Sequence, residues 1–127
     1  MRIGILANSL PAATAIYDEI QALPDAEAFV LLAPFSGDSK LSEHLARFVA
    51  RAGRRESLKL LSKGAVLHFR QPFHHVETIA RLKELKLDVG LHKSGNIYRG
   101  NTIACFRLGI LNAHIGRLPM YRGRSVM

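Results

Sequence analysis

The 127-residue sequence has one cysteine, no tryptophan and few aromatic residues of any kind. A lone Cys105 excludes an internal disulfide, and no Cys/His cluster has zinc-site spacing. His68 and the pair His74–His75 invite a metal reading, but no carboxylate or thiol stands at ligand spacing beside them. No apolar run is long enough to cross a membrane. The opening Met1–Leu6 is too short for a signal-peptide core and carries no cleavage site. Together these absences predict a cytoplasmic protein with no membrane partner. Acidic residues are also scarce. Ten Asp and Glu stand against 18 Lys and Arg, for a formal charge of +8 and a pI near 10.3. Three readings fit that excess: a nucleic-acid partner, steering of an anionic small substrate, or a solvated basic surface. The basic residues are spread over 47–55, 81–93 and 117–124 with few aromatics between them, which is not the pattern of an RNA-binding module.

What the sequence does have is an alternation of short apolar runs and amphipathic stretches, without repeats, low-complexity tracts or linkers. Arg2–Ala7 reads as a first strand, apolar on both faces as a central parallel strand is. Ser9 and Pro11 suit a helix start. The following helix reaches about Leu23, with Ala12, Ala15, Ile16, Ile20 and Leu23 near one stripe. The loop between them lacks G-x-G-x-x-G, so no dinucleotide fingerprint is present. A second strand covers 28–33, a helix 41–52 and a helical turn 56–62, with Gly53-Arg54-Arg55 as a break between the last two. A third strand covers 64–69 and a helix 76–85, with Ile79, Leu82 and Leu85 inward, Glu77 set to pair with Arg81, and His74–His75 at its polar start. A fourth strand covers 87–91, a short helix 102–107 carries Cys105 as a packing residue, and a fifth strand begins at Gly109. Strand–helix–strand order argues for parallel pairs with right-handed crossovers. The expectation is one domain over 1–127: α/β, Rossmann-like, a mostly parallel sheet with helices on both faces.

The chemistry gathers at the fifth strand. Ile110 and Leu111 are apolar, then Asn112 and His114 flank one small residue, and Gly116, Pro119 and Gly123 punctuate a loop. If the strand continues, Asn112 and His114 share a face. A neutral imidazole moves protons near neutral pH, and a fixed amide donates to an oxygen that gains charge. That pair suits acyl transfer to an amine. An Asn capping a turn beside a half-buried structural His also fits the spacing.

The longer string, Leu111-Asn112-Ala113-His114 followed by Leu118-Pro119-Met120-Tyr121-Arg122-Gly123, resembles the signature of the folate-dependent formyltransferases, roughly N-x-H-x-S-x-L-P-x-Y-R-G. Its Tyr-Arg-Gly ending is similar to the methionyl-tRNA and sugar N-formyltransferase branches. The resemblance implies a co-substrate, 10-formyltetrahydrofolate, and an amine acceptor on a small molecule such as a nucleotide-linked sugar, or on aminoacyl-tRNA. It implies that Asn112 holds the formyl oxygen and that His114 assists proton transfer. Gly116 stands where the family has Ser, and Gly116, Leu118, Pro119, Tyr121, Arg122 and Gly123 form the substrate loop. The polar loop after the fourth strand, at Gly95, Asn96 and Ile97, corresponds to the family's pterin-binding backbone; a plain Gly/Asn turn fits it equally.

The family's third catalytic residue is an Asp on a later strand, and no Asp or Glu follows His114 here. The expectation is therefore a partial domain with an incomplete catalytic set. The alternative to an enzyme is an inactive formyltransferase-like domain that binds folate or a protein partner. With the family's central strand left at an edge, its unpaired backbone groups invite a second copy. Light scattering on the purified chain should then report a dimer or self-association; a clean monomer at working concentrations would contradict this expectation.

Overall fold

The computed structural model describes residues 1–7, 11–34, 36–38, 40, 42–43, 54–63, 66–92 and 97–112. Five strands, β1 (Arg2–Ala7), β2 (Glu27–Leu32), β3 (Val66–His68), β4 (Val89–His92) and β5 (Ile110–Asn112), form one sheet in the order β3-β2-β1-β4-β5. Every pairing is parallel. Four described helices connect them: α1 (Pro11–Gln21), α2 (Arg54–Ser62), α3 (Val76–Glu84) and the single turn α4 (Gly100–Ile103). This is an α/β, Rossmann-like fold. None of the described helices is long and apolar enough to cross a membrane.

The continuous apolar runs of β1 and β2 follow from burial on both faces. Ile3, Ile5, Ala7, Ala28, Val30 and Leu32 pack with Ala13, Tyr17 and Ile20 of α1 and Leu60 of α2. Leu6, Leu31 and Ala33 belong to the opposite layer with Phe69, Phe73, Ile79, Leu82, Leu87, Cys105 and Phe106. On α1 the buried residues are Ala13, Tyr17 and Ile20, with Ile16 packed partly against them; Ile16 and Ile20 belong to the stripe the sequence suggests, Ala13 and Tyr17 widen it, and the side chains of Ala12 and Ala15 lie outside the description. Leu23 is exposed because α1 ends at Gln21, and the chain then turns through Asp25 at φ 59°. Arg54 and Arg55, expected as a break, belong to α2; Lys59 and Lys63 at its other end reach Asp18 of α1 at 3.3 and 3.8 Å. The expected helix 41–52 lies almost wholly outside the described residues, apart from helical Ser42 and Glu43. On α3, Arg81 turns away from Glu77: it donates to the His68 carbonyl at 3.0 Å and sits 4.7 Å over the Phe69 ring.

Two glycines set how closely the second layer approaches the sheet. Gly4 on β1 and Gly90 on β4 are register partners. A Cβ at Gly4 would lie 2.7 Å from Leu31 Cδ1 and 3.2 Å from Phe106 Cε1; at Gly90 it would lie 2.9 Å from Ile110 Cγ1 and 3.1 Å from Phe106 Cε1. Phe106, 3% exposed, therefore packs against both strands where they carry no side chain.

The amino end of the sheet is closed by polar contacts. The Arg2 N–H donates to Asp88 Oδ2 at 2.8 Å, and Arg107 Nε donates to Asp88 Oδ1 at 2.7 Å. The Asp88 N–H donates to the Arg2 carbonyl, and the Leu108 N–H to the Asp88 carbonyl, both at 2.8 Å. These contacts, the Arg2 N–H first, hold the Asp88 carboxyl below its ordinary pKa. Gly109, at φ +93°, then turns the chain into β5. Buried Thr102 anchors α4 by donating its hydroxyl to the Phe73 carbonyl at 3.1 Å. Replacing Gly4 by Val should overpack the Phe106 contact and lower stability by about 1–3 kcal/mol in urea unfolding; an unchanged midpoint would show that the layer has room to shift.

Candidate functional site

In an open parallel sheet, ligands bind outside the carboxyl ends of the strands where the strand order reverses. Here the chain moves outward from β1 to β2 and β3, then returns to place β4 on the other side of β1. The reversal therefore lies between β1 and β4. The strands on that side end in polar residues: His92 closes β4 and Asn112 closes β5. The two are register partners, about 5 Å apart along the ladder direction. Alternation puts His92 on the face of Gly90 and Asn112 on the face of Ile110, both of which meet the Phe106 layer.

The environments of the two side chains differ. Asn112 is exposed, and among the described residues no hydrogen bond occupies its amide. His92 is half-buried. Its Nδ1 lies 3.0 Å from the Tyr98 hydroxyl, and the two rings meet edge to face with centroids 5.0 Å apart. Tyr98 in turn packs on Phe73 at 5.9 Å, and Phe73 on Phe69 at 6.2 Å. Burial pushes the His92 pKa down, so the imidazole is neutral at physiological pH. The arrangement thus offers an accessible amide donor beside a neutral imidazole fixed by a phenol.

Of the residues singled out from the sequence, Asn112 is placed at the carboxyl end of β5, one strand beyond the reversal point. Ile97 lies in the segment after β4 with its side chain 95% exposed. His114, Gly95, Asn96, Gly116, Leu118, Pro119, Tyr121, Arg122 and Gly123 lie outside the described residues. His92 had no role in the sequence pattern, because β4 was expected to end at Leu91 and the strand continues one residue further. A polar residue closing an apolar strand, the same mark that singles out Asn112, is the signal that would have found it.

The other histidines stand apart. His68 ends β3, with β2 and β1 between it and β4, and its pKa is lowered by burial and by the nearby Arg81 and Arg70. His75 caps α3, its Nδ1 accepting from the Glu77 N–H at 3.3 Å. Among the described residues no three His, Cys, Asp or Glu side chains gather as a metal site. Cys105 is buried, with its thiol 3.3 Å from the Asn101 carbonyl, and burial raises its pKa.

The lowered histidines give a pH dependence with a definite sign. Folded His68 and His92 release their protons below the ordinary value of 6.5, so the unfolded chain binds more protons as pH falls past that value. Their penalty is absent above about pH 6.5 and grows as pH drops through the folded-state values. Thermal midpoints should fall between pH 7 and pH 5, and the double variant His68→Gln, His92→Gln should flatten that fall; an equal slope in the variant would assign it to other groups. Compared with known proteins, the chain matches no protein-family model and no curated protein.

Proposed function

We propose that this domain binds 10-formyltetrahydrofolate and transfers its formyl group to an amine, carried by a small molecule such as a nucleotide-linked sugar or by aminoacyl-tRNA. The observation that carries the reading is the position of Asn112. Asn112, the first polar residue of the formyltransferase-like string, closes β5, one strand beyond the reversal point of a parallel sheet, as the register partner of His92 on β4, and its side chain is exposed. A co-substrate carbonyl needs a donor of that kind at that place.

The chemistry assigns each group a task. The acceptor amine attacks the formyl carbon, and the carbonyl oxygen becomes an alkoxide that the Asn112 amide stabilises by hydrogen bonding. His114 takes a proton from the attacking nitrogen. The alkoxide then collapses, the bond from carbon to N10 breaks, and N10 leaves with a proton. The products are tetrahydrofolate and the N-formyl amine. The net charge of +8 suits the anionic tail of a folate and the phosphates of either acceptor class. The smaller acceptor is favoured, since nothing in the sequence forms a recognisable RNA-binding module.

Calorimetric titration with a stable 10-formyl dideazafolate tests the reading. Saturable binding that weakens by about three- to tenfold in Asn112→Ala is expected, the loss of one hydrogen bond. A folded chain that binds no folate would overturn the reading. Binding without turnover of any amine would instead favour a folate-binding domain that works with a protein partner.

A further inference from the structure

The exposed amide of Asn112 is one donor, whereas an alkoxide gains most from several donors held in place before it forms. The strand register supplies a second. His92 is the cross-strand partner of Asn112, on the same face and at the same height. Its ring is held by Tyr98 through two contacts, ring edge to ring face and Nδ1 to the hydroxyl. Tyr98 is itself braced by Phe73. Such a ring is fixed in orientation before any ligand arrives, and among the described residues Nε2 makes no hydrogen bond.

We propose that His92 is a second substrate-binding residue of this site, in which the Tyr98 hydroxyl donates to Nδ1 and the Nε2–H donates to the same formyl oxygen that Asn112 holds. Asn112 and His92 then form a two-donor cradle across β5 and β4, and Tyr98 is the positioning residue that sets the tautomer. A neutral imidazole is the form this task requires, because an N–H donor polarises a carbonyl without giving up its proton. The half-buried setting of the ring keeps it in that form. The inference rests on the formyl-transfer reading for the identity of the oxygen; the tautomer stands independently of it.

Two measurements on the full chain test it. In the first, nitrogen NMR of the histidine-labelled protein reads the His92 ring. A protonated Nε2 and unprotonated Nδ1 are expected, reverting toward the mixture of a free imidazole in Tyr98→Phe. A protonated Nδ1 in the parent chain would overturn the proposal whatever the ligand.

The second compares calorimetric affinities for the stable 10-formyl dideazafolate and for the same dideazafolate without its formyl group. The parent chain should prefer the formylated compound. His92→Phe, which keeps the ring and loses both nitrogens, should reduce that preference by about three- to tenfold and leave the unformylated compound's affinity unchanged. His92→Gln, which returns a donor near the Nε2 position, should restore part of it. Tyr98→Phe should give an intermediate loss, and it keeps the test decisive if His92→Phe fails to fold. If Asn112→Ala erases the preference and the His92 and Tyr98 variants do not, the formyl-transfer reading stands and this inference falls. If the folded parent chain binds neither compound, both fall together.

Discussion

The contact on which the rest of this structure depends is the Phe106 ring lying against two strands that carry no side chain beneath it. Gly4 and Gly90 face each other across the β1–β4 pairing, and a methyl group on either would press on Phe106 and its neighbours. Bringing an aromatic ring so close to the backbone lets the segment after α4 serve as a covering layer although it holds only one helical turn. It also fixes the place from which the chain enters β5. Ile110 packs into the same layer, and the register of β5 against β4 follows.

Register carries that packing to the carboxyl ends. With a side-chain period of two, the residues that follow Gly90 and Ile110 on the same face are His92 and Asn112. An apolar layer therefore ends in a polar pair without any change in backbone direction. The ring line Phe69, Phe73, Tyr98 joins the buried interior to the imidazole, so the polar group nearest the reversal point is supported from below by aromatic packing. Formyl transfer, proposed for this domain, calls for donors held in place before charge develops, and strand ends meet that requirement.

Most of the architecture was legible in the sequence because its signals are local. Arg2–Ala7 was readable to the residue, since an apolar run bounded by Met1 and a polar loop has few other interpretations. The other described strands and α1 to α3 followed from period and punctuation. Non-local facts were less legible. The α1 stripe lacked Tyr17 because that residue looks amphipathic, yet it is buried, with its hydroxyl accepting from Gln21. Arg81 left its expected partner Glu77 because the His68 carbonyl and the Phe69 ring, distant in sequence, gave it better contacts. Gly4 and Gly90 show their purpose only once the strands are paired. The same holds for the site: Asn112 stood out through its motif, whereas His92 acquires meaning only as the cross-strand neighbour of Asn112.

The polar closure around Asp88 sits at the opposite end of the sheet from His92 and Asn112. Asp88 ties the first strand, the fourth strand and the turn before the fifth into one knot through Arg2, Arg107 and Leu108. Folding is thus secured at one pole of the molecule, and the polar strand ends stand at the other. A lineage built on this plan can rewrite the residues that crown its strands without loosening the knot that keeps the strands in register.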